Sequence, residues 1–239
     1  MRILGIDTST RTASVALIEN GELIAEEIHA TRGSAAHPDH AEVLLPLIDA
    51  VFRKSEASLS DVSGLAVSIG PGSFTGLRIG LSTAKGLAYG LGIPVVGIST
   101  LLANAARVDD VDGLICSFFD ARENEVYAAL FRRCGQRLTR LTEDKAAGAV
   151  AVIETIASLA GDAPCLFVGD GSKTHEGLLM DRFGNEALLS TGNSYSSLAA
   201  AVARLSGDRL QEAEGAHAAS LIPVYLRSSE AELMKKNSG

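Results

Sequence analysis

The sequence predicts an α/β fold made of two βββαβα units in tandem, the second reduced. Three observations carry this expectation. An apolar segment ending in aspartate occurs twice, as Ile3 to Asp7 and as Leu114 to Asp120. Each is followed by a short polar turn and a second strand-like run, Ala13 to Ile18 and Glu125 to Phe131. In both halves these strands give way to segments of helical spacing alternating with short apolar runs, the order expected of helices crossing over a parallel sheet.

The first half reads element by element. Arg2 to Asp7 and Ala13 to Ile18 are strands, and Asn20-Gly21 joins the second to Leu23 to His29. Asn-Gly between apolar runs is a strong hairpin signal, because both residues tolerate the positive φ of a type I′ turn. A helix follows, with Pro38 at a first helical position and Asp39 and Glu42 near its positive dipole end. Leu44, Leu45, Ile48, Val51 and Phe52 recur at helical spacing, and Pro46 inside this pattern predicts a kink or an early break. Leu65 to Ile69 is a buried strand, Leu77 to Leu91 a helix, Val95 to Ile98 a strand and Thr100 to Val108 a helix. Gly76, Gly80, Gly86 and Gly90 lie along the second helix. Glycine disfavours a helix interior by about 1 kcal/mol, so several together predict close approach of another backbone.

In the second half, Arg137 to Leu141 is the third strand, Ala146 to Ala160 a helix, Cys165 to Val168 a strand, His175 to Phe183 a helix and Tyr195 to Ser206 a last helix. The boundary falls at the acidic stretch Asp109 to Asp112. This gives an N-terminal subdomain over 1–109, a reduced C-terminal subdomain over 110–229, and a loose tail over 230–239. The duplication is argued from element order, since residue identity between the halves is weak. Two such units describe the actin-like ATPase (ASKHA, RNase H-like) fold.

Composition narrows the function classes. Of 239 residues, 46% are hydrophobic and 21% charged, enough apolar material for a real core. No apolar run reaches the roughly eighteen residues of a membrane span, and the N-terminus lacks the pattern of a signal peptide, so a cytoplasmic protein is expected. The net charge of −8 disfavours direct nucleic-acid binding by this chain alone. Arg132, Arg133, Arg137 and Arg140 read as a solvated hairpin face. Cys116, Cys134 and Cys165 form no metal or redox motif and read as ordinary thiols.

The most specific segment is Gly70-Pro71-Gly72-Ser73-Phe74-Thr75-Gly76-Leu77-Arg78-Ile79-Gly80, between a strand and a helix. Such a junction exposes backbone N–H groups at a positive dipole end and can hold an anion. It can equally serve tight strand-to-helix packing. It is not a Walker A loop, since no Gly-Lys-Ser/Thr ends it. Arg78, one turn inside, has the chemistry to pair with a carboxylate or a phosphate. Asp7-Thr8-Ser9-Thr10 ends the first strand, where actin-like folds place the acid and hydroxyls that meet metal and phosphate; a turn capped by its own side chains reads the same way. Gly169-Asp170-Gly171 follows the last clear strand, where such folds bring glycines against a base. His37-Pro38-Asp39-His40 is the one histidine pair, and no third ligand lies near it in sequence. His29, His175 and His217 are isolated, and neither an HExxH nor a Gly-x-Ser-x-Gly motif is present.

Taken together, Met1-Arg2-Ile3-Leu4-Gly5-Ile6-Asp7-Thr8-Ser9, the GPGSFTGLRIG junction, Asp120-Ala121-Arg122 and Pro223-Val224-Tyr225-Leu226-Arg227 resemble the TsaB (YeaZ) family, from the N-terminus to about Arg227. These bacterial subunits of tRNA threonylcarbamoyladenosine (t6A) biosynthesis were once labelled glycoprotease-like, peptidase M22. The resemblance implies a non-catalytic scaffold for the TsaD transferase, which moves threonylcarbamoyl from its adenylate to the adenosine beside the anticodon. TsaD holds a metal with a His-x-x-x-His motif after its fifth strand, and Thr100 and Asn104 stand at the matching positions here. Neither replaces an imidazole as a transition-metal ligand.

The resemblance further implies that the first helix carries the contact with TsaD and supports homodimers when the chain is alone. A TsaE-type ATPase joins the complex, and tRNA is met only through it. His40, Val43, Leu44, Leu47, Ile48 and Arg78 are the expected interface residues. The nearly continuous apolar run from Val43 to Ile48 fits an interface, and a fully buried helix would read the same. No cofactor is required by the chain. ATP or ADP at a subunit interface would meet Asp7, Thr8, Ser9, Gly70, Gly72, Ser73, Thr75 and Gly76. The competing readings are a glycoprotease-like metallohydrolase and an autonomous nucleotide-binding protein.

Overall fold

A computed structural model describes residues 1–30, 40–189, 195–212 and 220–227. Along the chain run β1 (Arg2–Asp7), β2 (Thr12–Glu19), β3 (Glu22–Ala30), α1 (His40–Ser55), β4 (Gly64–Gly70), α2 (Phe74–Leu91), β5 (Val95–Ser99) and α3 (Thr100–Ala106). There follow β6 (Gly113–Asp120), β7 (Glu125–Cys134), β8 (Arg137–Arg140), β9 (Lys145–Gly148), α4 (Ala149–Ala160), β10 (Cys165–Val168), α5 (Asp170–Thr174), α6 (Glu176–Phe183), β11 (Ala187–Leu189), α7 (Leu198–Leu205) and α8 (Gly207–Glu212).

The first sheet has the order β3-β2-β1-β4-β5, and the second β11-β10-β6-β7-β8. In each, a three-stranded antiparallel meander is extended by two parallel strands: β4 on β1 and β5 on β4 in one, β10 on β6 and β11 on β10 in the other. The two βββαβα units are therefore alike in strand order and direction. Asn20 and Gly21 sit at φ 51° and 90°, so the hairpin turn has the predicted positive φ at both central positions.

Several elements differ from the sequence expectation. Lys145–Gly148 is a strand and not the start of a helix, because Ala146 and Ala147 pair with Tyr127 and Val126 of β7. Backbone pairing overrides the helix propensity of alanine, and Gly148 then serves as N-cap of α4. β8 pairs with Phe131 to Cys134 and β9 with Glu125 to Ala128, so one strand position is filled in two pieces. The second unit also possesses its fifth strand, β11, only three residues long, and a short α5 before α6. In α1, Pro46 does not end the helix, which continues to Ser55. The expected helix start at Pro38 and Asp39, His37 of the histidine pair, and the tail 230–239 lie outside the described residues.

The chain divides into Met1–Thr100 with Ser197–Gly239, and Leu101–Ser196, which differs from the expected 1–109 and 110–229. The reason is where two helices find partners. Within the second unit, the Asn104 amide of α3 donates to Ser117 Oγ at 2.9 Å and to the Val168 carbonyl at 2.8 Å. Within the first, α7 lies on β1 and β2: a Cβ at Gly5 would overlap the Ala199 carbonyl, and the Ala199 N–H donates to Ser14 Oγ at 3.2 Å. An alanine-rich helix and a glycine in the strand beneath it permit this approach.

The core of the first unit joins Leu4, Ile6, Val15 and Leu17 to Leu44, Ile48, Val51 and Phe52 of α1 and to Leu81, Ala84 and Ala88 of α2. That of the second joins Phe118, Leu130 and Phe167 to Val152, Ile153 and Ile156 of α4. No helix among the described residues is long and apolar enough to cross a membrane. Cys116 and Cys165 are buried in the second core, whereas Cys134 is exposed. Burial pushes the Cys116 thiol well above its ordinary value and the Cys165 thiol up to about 12. Thiolate is the reactive form. A disulfide-exchange titration of the native protein at pH 8 should therefore release about one equivalent, from Cys134, and three only after denaturation.

Candidate functional site

The predicted site residues of the first unit converge where β1, β4 and the N-terminus of α2 meet. Asp7 closes β1 and is fully buried. Its Oδ1 accepts from the Ser9 hydroxyl at 2.6 Å and from the Ser9 N–H at 3.3 Å. Among the described residues its Oδ2 has no hydrogen bond, and Ser68 Oγ, which faces the same carboxyl from β4, also completes none. Burial raises the Asp7 pKa above its ordinary value; Ser68, Ser9 and the nearby His40 act in the opposite direction and are outweighed.

The glycine-rich junction lies directly on this strand end. The Thr8 hydroxyl donates to the Gly76 carbonyl at 2.7 Å, and the Ser73 N–H donates to the Ser9 carbonyl at 2.7 Å. A Cβ at Gly72 would overlap the Ser9 carbonyl, one at Gly76 the Thr8 carbonyl, and one at Gly80 the Thr8 hydroxyl. Ser73 caps α2, its Oγ accepting from Gly76 N–H and its carbonyl from Leu77 N–H. The N–H groups of Ser73, Gly76 and Leu77 are thus engaged within the chain, and the glycine faces meet the chain's own backbone. Of the two readings of the junction, this geometry supports tight packing. Thr75 is exposed at the same turn. On the other side, the Val224 N–H donates to the Ile69 carbonyl at 2.7 Å, and Gly70, at φ 113°, lies under the Val224 carbonyl. Two predicted motifs far apart in sequence, at residues 70–80 and 223–227, are brought together here.

The second unit repeats the device. Gly169 and Gly171 press against the Phe118 carbonyl, and the Asp120 N–H donates to Asp170 Oδ1 at 3.0 Å. Asp120 Oδ1 accepts from Arg122 N–H, which opens a turn with Arg122, Glu123 and Asn124 all at positive φ. The sequence marked these glycines, but not that β6 itself would occupy them.

The expected interface on α1 requires correction. Leu44 and Ile48 are 1% and 6% exposed and belong to the core. His40 is also buried, its Nε2 at 2.9 Å from the Thr10 carbonyl and its ring against Gly76. These three face the sheet because they share its side of the helix at i, i+4 and i+8. Val43 and Leu47 are half-buried on the flank. The outward residues are Ala41 and Leu45, the latter 60% exposed. With Arg78, Ile79, Ser82 and Thr83 of α2 they border a shallow groove floored by Leu44. Arg78 is exposed there. Ile79 borders the groove as well, and Phe74 and Tyr225 lie beside Arg78; none of the three is among the expected interface residues. The i, i+4 pair Ala41 and Leu45, off the phase of Leu44 and Ile48, was the available signal for the outer face.

Of the two residues that the resemblance matches to metal histidines, Asn104 is fully buried and both its amide donors are bonded. Thr100 is also fully buried, its Oγ1 without a hydrogen bond among the described residues. Among the described residues, no three His, Cys, Asp or Glu side chains are grouped to hold a metal ion.

Two measurements check this geometry. Gly76→Ala should lower stability by about 2 kcal/mol or more, as overpacking against backbone does. Gly86→Ala, where nothing lies within 4 Å, should leave it unchanged or raise it by up to about 1 kcal/mol. The native state holds the Asp7 proton above the ordinary value near 3.8, so stability falls as pH rises from there through the raised native pKa. Asp7→Asn should raise the thermal midpoint at pH 7, and the gain should shrink as pH falls through the raised native pKa and level off below the ordinary value.

Comparison with known proteins accords with this architecture. Residues 22–235 match the family described as "TsaD: tRNA N6-adenosine threonylcarbamoyltransferase". The tRNA threonylcarbamoyladenosine biosynthesis protein TsaB of Bacillus subtilis is 32% identical over 232 residues, 97% of this chain and 96% of that one. TsaB of Escherichia coli is 40% identical over 135 residues, 56% of each chain. A tRNA N6-adenosine threonylcarbamoyltransferase of Solidesulfovibrio magneticus is also 40% identical, but over 44% of this chain and 31% of that protein. Among solved structures, YeaZ from Pseudomonas aeruginosa superposes with a TM-score of 0.77 at 27% identity, covering 94% of this chain and 99% of that one. The ethanolamine utilization protein EutJ from Carboxydothermus hydrogenoformans, at 14% identity and a TM-score of 0.51 over 87% and 90% of the two chains, shares the fold alone. The match to TsaB of Bacillus subtilis spans nearly the whole of both proteins, and the chain belongs to the TsaB (YeaZ) family of tRNA threonylcarbamoyladenosine biosynthesis proteins.

Proposed function

We propose that this chain is a non-catalytic scaffold and activator subunit in t6A synthesis, docking a TsaD-type transferase through the outer face of α1 and α2. The observation that carries the reading is the match to TsaB over the full length of both chains. Two structural features support it. Asn104 stands where a metal ligand would be needed, and its amide is already spent on Ser117 and Val168. This also weighs against a glycoprotease-like metallohydrolase. The glycine faces of the junction meet Thr8 and Ser9, which weighs against an autonomous nucleotide-binding protein. What remains is an apolar groove with Leu45 at its edge. In this reading the chain works in the cytoplasm and meets tRNA only through the complex, which a TsaE-type ATPase joins. Alone, it pairs with itself through the same face, and nucleotide enters only at a subunit interface.

The test is reconstitution of t6A formation from purified TsaD-type and TsaE-type subunits, threonylcarbamoyl-adenylate and tRNA. Product should depend on adding this chain, which alone should give none. Equal product without it, or about one tightly bound zinc or iron per chain, would contradict the scaffold reading. Substitution separates docking from folding. Leu45→Glu should abolish co-purification with the TsaD-type subunit while leaving the thermal midpoint within about 2 °C. Leu44→Glu and Ile48→Glu should each prevent folding, because a carboxylate placed in the core is neither paired nor solvated.

A further inference from the structure

Arg78 carries an inference that deepens this reading and rests on it. It leaves α2 toward the helix N-terminus and stacks on Phe74, four residues earlier, with the guanidinium carbon 3.9 Å from the ring centroid. Tyr225 closes the stack: its ring lies 4.5 Å from that of Phe74 at an interplanar angle of 28°, and its centre is 5.9 Å from the guanidinium. Arg78 Nε donates to Tyr225 Oη at 3.0 Å. The terminal nitrogens make neither a hydrogen bond nor an ion pair among the described residues. Three other cations of the unit are matched to acids: Arg2 to Glu19 and Asp61, Arg53 to Asp49, and Lys54 to Glu27.

A guanidinium is planar, with its donors confined to the plane and its faces apolar enough to stack. One face of Arg78 is taken by Phe74 and the Nε edge by Tyr225. What remains is the edge carrying the two terminal NH2 groups, a fork that fits two oxygens in one plane. The same side chain borders the α1–α2 groove, whose walls there are Ala41, Leu45 and Ile79. A fixed cation at the rim of an apolar groove specifies its occupant by chemistry: an apolar helix bearing a carboxylate. RNA phosphate suits the fork but not the groove, and a chain of net charge −8 repels a polyanion.

We propose that Arg78, held by Phe74 and Tyr225, is the charged anchor of the docking face and takes an aspartate or glutamate from a helix of the TsaD-type subunit seated between α1 and α2. Tyr225 is then a positioning residue. Its hydroxyl fixes the guanidinium before binding, so the C-terminal segment takes part in recognition without entering the groove. Prior fixation spares the ordering of a long side chain on association.

The experiment measures the affinity of the full chain for the purified TsaD-type subunit by calorimetry at several salt concentrations, with thermal midpoints as controls. Arg78→Met should weaken pairing about tenfold or more and flatten its salt dependence. Arg78→Lys should recover only part, lacking the fork. Tyr225→Phe, which keeps the stack and loses the acceptor, should cost about two- to fivefold. Arg78→Glu should be rescued by an acid-to-arginine exchange at one position of the partner's docking helix, which a merely structural role would not produce. If Arg78→Met also lowers the thermal midpoint, Arg78→Lys decides, and wild-type affinity in that variant overturns the proposal. Wild-type affinity and salt slope in Arg78→Met overturn it too, as does unchanged pairing with reduced tRNA binding by the assembled complex. Absence of pairing by the wild-type chain is a different result, removing the docking reading itself and this inference with it.

Discussion

The first unit depends on the contact of one helix N-terminus with one strand end. Gly72, Gly76 and Gly80 bring α2 so close to Thr8 and Ser9 that backbone meets backbone, with the Thr8 hydroxyl and the Ser73 N–H closing the seam. A methyl group at any of the three would collide with it. The seam fixes the height of α2 over the sheet, and therefore the groove that α2 forms with α1. The 220–227 segment then clamps the same junction from outside through Val224 and Tyr225.

The seam has an electrostatic cost. It encloses Asp7 with one carboxyl oxygen and the Ser68 hydroxyl unsatisfied, and burial drives the carboxyl toward its protonated form. In the second unit the corresponding glycines again meet β6 backbone, while Asp120 remains partly exposed and accepts from its own turn. The two halves thus share a means of joining strand to helix and differ in how far water is excluded.

Much of the fold was legible in the sequence. Asn20-Gly21 and the period-two strands beside it declare a hairpin through local chemistry, and the parallel strands declare themselves by short apolar runs between helical patterns. β9 and β11 were not legible, since each is four residues or fewer and exists through pairing with distant strands. The partners of α3 and α7 were hidden for a similar reason: an alanine-rich helix shows that it packs closely, but not on which sheet. At the site, the glycine-rich junction was found while its role was left open, because an anion cradle and a packing seam use the same residue. The α1 interface was misassigned at Leu44 and Ile48, since a run of five apolar residues in six positions conceals which face meets the sheet. Arg78 was marked as an interface residue, but its orienting hydroxyl lies 147 residues further on, and no local pattern connects them.

The central claim is that the junction between β4 and α2 is a packing seam that builds a docking face and not a phosphate cradle. The most direct test is a calorimetric titration of magnesium-ATP into the isolated chain. The seam predicts no binding at micromolar concentrations, because the glycine faces and the N–H groups of Ser73, Gly76 and Leu77 are engaged within the chain. Saturable micromolar binding abolished by Gly72→Ala would contradict it.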